Sequence, residues 1–507
     1  MNYVRKNHIH QLWLTLLSVY NSSMVHRMMS SVGRWCNHQI RDSRVLAVLC
    51  RESVISQSWE SSKLCKGLTW AVNLPIHLLR WVYGKLQSQF DSSFFARFVF
   101  RLGDETAIAQ SWLILLLWII PYDHWNNGYT LIAFLLLLCL FCARGMQSSK
   151  ERLDIPTLGF YPVVFFACVC MAVPLSAYPE LSGRFLRYHI GGALCVLITV
   201  SAVRHISDLK RLAAGASAAM AVSSLYAVYQ RIEGVDIKNA YVDKNVNPDM
   251  PGRVDSFFDN PNSFAVLLIL LIPLAVALFL EAKHWVTRIL SAGAMVLGVA
   301  ALAMTYSRAA WVGFACAAVV FVFLWRPKLI PLFAVVCVMC IPFLPDSIWN
   351  RILSIFNFSD SSTSSRLPLY AAAIRAIQRT PLTGAGLGTA APQKFIAQHA
   401  LYAGGHAYVH AHNLFLEVWL ETGLIGLAAF LGAVGESIKR AARQVRHGTD
   451  SAARTITAAA AASLCGYLVT GLADYPWSYP RVMVVFWFVF AVSAAGVKLC
   501  RCEQETQ

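Results

Sequence analysis

Charge is what this 507-residue sequence has least of. Asp, Glu, Lys and Arg together make up 14% of it, well below the roughly 25% of a soluble domain. Hydrophobic residues make up 57%, and the mean hydropathy is +0.52. So little polar surface excludes the two or three soluble domains that this length would otherwise suggest. The apolar runs also lack the two-residue alternation of a membrane barrel, which excludes strands as spanning elements. There is no heptad array and no other internal repeat. The 14 Cys are scattered, mostly inside apolar runs. Cys500 and Cys502 form a lone Cys-x-Cys, and no metal-site spacing is present. The N-terminus carries charges and no apolar stretch ending in an A-x-A site, so no cleavable signal is expected.

What the sequence has is a succession of apolar runs from about residue 106 onward, each long enough to cross a bilayer as a helix. Twelve are read: 106–121, 128–144, 157–176, 186–203, 211–229, 262–281, 286–305, 308–325, 329–345, 413–435, 455–474 and 480–499. The expectation is an all-α polytopic membrane protein. The formal net charge of +16 would raise nucleic acid as a partner of a soluble protein. Here Lys and Arg instead concentrate in short connectors at 144–152, 204–211, 283–288, 326–328 and 439–454, and the positive-inside bias puts those in the cytoplasm. Both termini then lie in the cytoplasm of a cell-membrane protein, with no nucleic-acid partner. Two long connectors, 230–261 and 346–412, lie outside. The domain reading is a basic, aromatic extension at 1–105, spans at 106–345, an extracytoplasmic helical module at 346–412, spans at 413–499 and a tail at 500–507.

The extension has Trp13, Trp35, Trp59, Trp70 and Trp81 and no run long enough to span. Apolar residues over 68–86 fall near helical spacing with Arg80 and Lys85 opposite. That suits helices lying in the membrane interface, or a partly disordered segment.

Polar residues with chemical potential cluster at the outer ends of the spans. In Gly252-Arg253-Val254-Asp255…Asn260-Pro261-Asn262, Pro251 and Gly252 set a turn and Asn260 or Asn262 caps the next helix. Arg253 is either an interfacial anchor, a partner of Asp255, or a fork for phosphate oxygens. In Thr305-Tyr306-Ser307-Arg308-Ala309-Ala310-Trp311, Arg308 opens a span at an outer turn too short to need charge for solubility. Positive-inside bias works against an arginine there, which favours a functional role over snorkelling. Within 346–412, Ser364-Ser365 can cap a helix over 366–379 bearing Arg366, Arg375 and Arg379. Gly384-Ala385-Gly386-Leu387-Gly388 implies close backbone approach to a ligand or another helix, without the lysine of a phosphate-binding loop. His399, His406, His410 and His412 follow. Their spacing is poor for a metal, and a single general base is simpler. Asn413, Glu417 and Glu421 share one face of the tenth span, where the two carboxylates could hold His412 or an arginine, or simply face the bundle interior. Asp474, at the outer end of the eleventh span, could join the same pocket.

These segments resemble the O-antigen ligase and O-antigen polymerase superfamily. His412-Asn413, nine residues, Gly423 and Gly426 satisfy the family's signature of His, then Asn, Ser or Gln, then nine residues, then Gly-x-x-Gly. The segments Arg253–Asn262 and Thr305–Trp311, and Arg366 ahead of the 381–388 turn, also resemble family motifs. The likeness covers about 110–500 and leaves the extension outside it. It implies a glycan transferase of the outer membrane-leaflet face that takes its glycan from a polyprenyl-diphosphate donor. The acceptor would be a hydroxyl on a glycan, lipid or protein. His412 would be the general base and Arg253, Arg308 and Arg366 the diphosphate ligands, with Asn413, Glu417, His410 and Asp474 in support. No metal and no cofactor are expected, and a single displacement would invert the anomeric carbon. A secondary transporter of a small anion fits the span count equally well, but it should place ionisable groups near the bilayer midplane on repeated, broken helices. Here they gather at the outer face.

Overall fold

The computed structural model describes residues 22–43, 53–234, 252–353, 366–404, 407–447 and 450–505, with residues 11, 15, 18 and 19 of the N-terminal stretch. Among these residues there is no strand. Five helices come first: α1 (Met24–Asp42), α2 (Val54–Ser61), α3 (Lys63–Lys85), α4 (Gln87–Ser92) and α5 (Phe94–Asp104). The bundle begins with α6 (Thr106–Trp118), α7 (Gly128–Gln147), α8 (Ile155–Leu158), α9 (Phe160–Ala172), α10 (Pro179–Ala202) and α11 (Ile206–Glu233). It continues with α12 (Pro261–Glu281), α13 (Trp285–Met304), α14 (Arg308–Trp325) and α15 (Ile330–Cys340). Then come α16 (Asp346–Leu353), α17 (Arg366–Arg379), α18 (Ala390–Gln398), α19 (Leu414–His447), α20 (Ser451–Gly471) and α21 (Pro480–Glu505).

The protein is an all-α polytopic membrane protein. Nine helices among the described residues are long and apolar enough to span: α7, α10 to α14, and α19 to α21. The helices α6 and α9 are apolar but 13 residues each, shorter than a bilayer-crossing helix of about 20 residues. The run expected at 157–176 is broken at Gly159, whose φ of +88° separates α8 from α9. The run at 329–345 turns sharply: its helical stretch meets α16 at 119°. Pro345 and the 3-10 turn at Ile341–Phe343 account for the bend, because neither continues an α-helical hydrogen-bond ladder.

The centre of the bundle is α12, α20 and α21, buried along nearly their whole length. Where α14 crosses α20, Gly313 faces Gly466, and a Cβ on Gly313 would lie 2.6 Å from the Gly466 carbonyl oxygen. Small residues let the two backbones approach to van der Waals contact, the main source of helix association in lipid. Local signals set the helix starts. Asn260 accepts bonds from the Asn262 and Ser263 amides with Pro261 at the first helical position, so α12 is capped as expected. Asp450 caps α20 in the same way. The Ser364-Ser365 cap expected for α17, the turn residue Pro251 and His406 lie outside the described residues.

The two ends of the bundle differ. At one end the basic connectors fold into ion pairs: Arg144 with Asp104 and Glu151, Arg204 with Glu151, and Lys498 with Asp154 at 3.0 Å. The described helices of the extension dock at this end. Asn73 is buried and both donates to the Leu153 carbonyl (3.0 Å) and accepts from the Leu153 amide (2.7 Å). Arg80 donates to the carbonyls of Gly145, Ser148 and Glu151. The opposite end carries the polar loops.

Candidate active site

Four separate chain segments close over this opposite end. The first is the loop 252–259. Gln230 holds it by donating to Asp255 (3.0 Å) and accepting from the Ser256 amide (2.8 Å). Arg481 holds its far side, donating to the Phe257 and Leu117 carbonyls while its guanidinium lies 4.5 Å from the Trp125 ring centre and 4.4 Å from that of Phe258. So braced, the loop presents Arg253. Its Nε donates to the Thr305 carbonyl at 2.7 Å and a terminal nitrogen donates to Asn262.

The second segment is the α13–α14 turn. Tyr306 has φ +49°, an uncommon conformation for a bulky residue, and Arg308 opens α14 immediately after it. The third is α16. Its Arg351 donates to the Tyr306 carbonyl at 3.4 Å, and Ser347 lies 3.1 Å from the Tyr306 hydroxyl. The fourth is the run into α19, with Asp474 facing it from the end of α20.

A cavity of about 360 Å³ lies among the first three segments, the start of α17 and the end of α20. Arg253, Arg308, Arg351, Arg366 and Asp474 line it, with Asn262, Tyr306 and Ser307. Its floor is apolar: Ala309, Val312, Val469 and Leu472. Four guanidinium groups against one carboxylate make the cavity electropositive. His412 adjoins it through Asp474, with Nδ1 3.3 Å from Asp474 Oδ1. The His412 side chain is about a third exposed, at 36%, and that of Asp474 is 14% exposed.

His412 has φ +48°, and the residues around it explain how that conformation is held. Asn413 caps α19, accepting from the Phe415 and Leu416 amides at 3.0 Å and donating to the Leu472 carbonyl. Glu417, fully buried, accepts from the Tyr408 hydroxyl at 2.9 Å and from the Ala411 amide. Its bonds therefore fix the chain leading into His412, rather than His412 itself or an arginine. The His412 amide donates to His410 Nδ1 at 3.2 Å, and the two rings are 4.1 Å apart. Glu421 accepts from the Tyr475 hydroxyl, next to Asp474.

Electrostatics follow from this packing. Burial alone would push the Asp474 carboxyl up, but the hydrogen bond and charge of His412, together with His410 and the Tyr475 amide, hold the group below its ordinary range. Burial, and then the neighbouring His412, push His410 down to about 4, so it is neutral at physiological pH. Burial and the Glu417 carboxylate raise the Tyr408 hydroxyl, which stays protonated and donates.

The glycine turn is a packing device. Gly384, Gly386 and Gly388 have φ of +73°, +117° and +76°. A Cβ at Gly384 would meet the Glu421 carbonyl, at Gly386 the Ser176 and Ser182 hydroxyls, and at Gly388 the Phe185 ring. Gly423 breaks α19 (φ 73°, ψ 179°) so that the Pro381 carbonyl can accept from the Leu424 amide and the Trp419 indole, both at 2.9 Å. The close approach is thus to helices.

The sequence-expected residues Arg253, Arg308, Arg366 and Asp474 meet on the cavity, and His412 and His410 adjoin it. His399 does not: it bonds the Phe395 carbonyl at the end of α18. Among the described residues no three His, Cys, Asp or Glu side chains are grouped as a metal set. Arg351 was missed. It lies in the 346–412 module, beyond the expected span end, and the bend before α16 is what brings it to the cavity.

Compared with protein families, residues 293–431 match the O-antigen ligase family. That stretch holds Arg308, Arg351, Arg366, His410 and His412 and ends just past Gly426; Arg253 and Asp474 lie outside it. No curated protein matches the chain.

Proposed function

We propose that the chain, which through residues 293–431 belongs to the O-antigen ligase/polymerase superfamily, is an O-antigen ligase-type membrane glycan transferase, with the following donor, face and chemistry. The donor is a glycan on a polyprenyl diphosphate. The acceptor is a hydroxyl on a glycan, lipid or protein. Transfer takes place on the extracytoplasmic face, because the basic connectors gather at the other end of the bundle, and both termini lie in the cytoplasm.

The observation that carries this reading is the set of arginines around one cavity with the His412–Asp474 pair at its edge. Arg253, Arg308 and Arg366 hold the two phosphates, and Arg351 adds a fourth fork. As the anomeric C–O bond to the diphosphate breaks, negative charge grows on the departing oxygen, and fixed guanidinium groups stabilise it. Four such groups supply the charge that a bound metal ion would otherwise bring, so the reaction is metal-independent. The apolar floor of Val312, Val469 and Leu472 suits the first units of the prenyl chain.

His412 is the general base. Asp474 takes the Nδ1–H bond, which leaves Nε2 as the acceptor for the incoming hydroxyl proton. The hydroxyl oxygen bonds to the anomeric carbon as the prenyl diphosphate leaves from the opposite side, so configuration inverts. Asp474 then stabilises the imidazolium that forms, and the proton is released to water.

The test is transfer by purified protein from a polyprenyl-diphosphate glycan with excess chelator. Product with inverted configuration and full rate under chelation is expected. No transfer from a diphosphate donor, or a rate restored only by a divalent ion, contradicts the proposal.

A further inference from the structure

The extension carries an interaction surface that glycan transfer does not use. On α3 one face is buried in the bundle: Cys65, Asn73 and Ile76. The face opposite is apolar and exposed, with Trp70 at 62%, Leu78 at 57% and Trp81 at 66%. The pattern repeats on α5. Phe100 is buried against the Tyr83 and Phe90 rings and Gly103 packs against α7, where a Cβ on Gly103 would lie 2.7 Å from the Leu140 carbonyl oxygen. Phe94, Phe95 and Phe98 point away from the protein, Phe94 at 80% exposure. Water does not tolerate aromatic faces of this extent on two adjacent helices.

Two observations identify what covers them. The first is continuity: α7, on which both helices pack, is itself a spanning helix with exposed Ile132, Leu135 and Leu136. The second is charge. The 23 residues of α3 include Lys63, Lys66, Arg80 and Lys85 and no Asp or Glu. On α5, at 100° per residue, Arg97 and Arg101 form a stripe between the exposed phenylalanines and the buried Phe100. A helix with phenylalanine on one side and arginine along its edge matches the boundary between acyl chains and head groups.

We infer that α3 and α5 form a lipid-binding collar at the basic end of the bundle, with the aromatic faces in the acyl boundary and Arg97 and Arg101 on the head groups of anionic lipid. The Asn73–Leu153 bonds and the Arg80 contacts with 145–151 clamp the collar to the connectors, so lipid occupancy braces the cytoplasm-facing ends of α7 and α10. Each arginine near an anionic surface favours it by on the order of fivefold.

The experiment uses the full chain carrying Phe98→p-benzoylphenylalanine, reconstituted in vesicles of equal parts phosphatidylcholine and phosphatidylglycerol and irradiated, with adducts identified by mass spectrometry. The expected result is lipid adducts enriched several-fold in phosphatidylglycerol, and loss of that enrichment in the Arg97→Glu, Arg101→Glu double variant. Both arginines are exposed, so this variant should fold; the same probe at Phe95 repeats the measurement without charge reversal. Adducts to another protein, adducts without head-group preference, or no lipid adduct at either position would overturn the inference.

Discussion

His412 Nδ1 lies 3.3 Å from Asp474 Oδ1, although 62 residues and two spanning helices, α19 and α20, separate the two. A carboxylate can only accept in this contact, so the imidazole is fixed with its proton on Nδ1 and its lone pair on Nε2. Neither residue could do this alone. His412 needs the Glu417 and Asn413 bonds to hold its backbone at φ +48°, and Asp474 is set beside Tyr475, which Glu421 anchors.

Asp474→Asn should therefore lower kcat by up to about 10⁴-fold, the loss seen when the orienting carboxylate of a Ser-His-Asp triad is replaced, with little change in donor KM. The same variant tests the pH linkage. The folded carboxyl is held below its ordinary range, so its stabilisation is full above that range and is lost as pH falls through the depressed value. Thermal melts in detergent should show wild type more stable than Asp474→Asn at neutral pH, with the gap closing below about pH 4.

His410 is adjacent but should not titrate during turnover, because burial holds it down to about 4. His410→Asn retains an acceptor for the His412 amide. Steady-state rates should fall modestly, and the acid limb of kcat should not move. An acid limb displaced by this substitution would assign the titration to His410.

The arginines should act on donor affinity through their forks. Arg308→Lys and Arg351→Ala should each weaken donor binding by about 10–100-fold, the range for hydrogen bonds to charged groups. Arg379→Ala, exposed at the end of α17, should have no effect. Equilibrium binding of a polyprenyl diphosphate measures all three.

Gly423→Ala forces a left-handed position onto an L side chain, and its Cβ would overlap the Leu382 carbonyl. A loss of at least about 1–3 kcal/mol is expected, read as a lower melting temperature. Gly435→Ala, with nothing within 4 Å of the added carbon, should be neutral or slightly stabilising.

The spanning helices were legible because long apolar runs leave few alternatives once the backbone must satisfy its own hydrogen bonds in lipid. The His412-Asn413 motif, Arg253 and Arg308 were legible because polar groups at span ends are rare enough to stand out. What escaped depended on contacts distant in sequence. Nothing local marks Asn73 as the clamp on Leu153, 80 residues away. Glu417 was legible as a polar residue on an inward face, but its partner Tyr408 was not, because Gly404 and Gly405 hide the return of the chain. The bend before α16, which brings Arg351 to the cavity, needed the geometry of Pro345 and the preceding 3-10 turn.

One measurement bears most directly on the convergence of the histidine and the arginines in a single reaction: single-turnover transfer and donor affinity for His412→Ala. Transfer should fall by about 10²–10⁴-fold while donor affinity and melting temperature stay at wild-type values. Wild-type transfer by a folded His412→Ala protein would contradict the account.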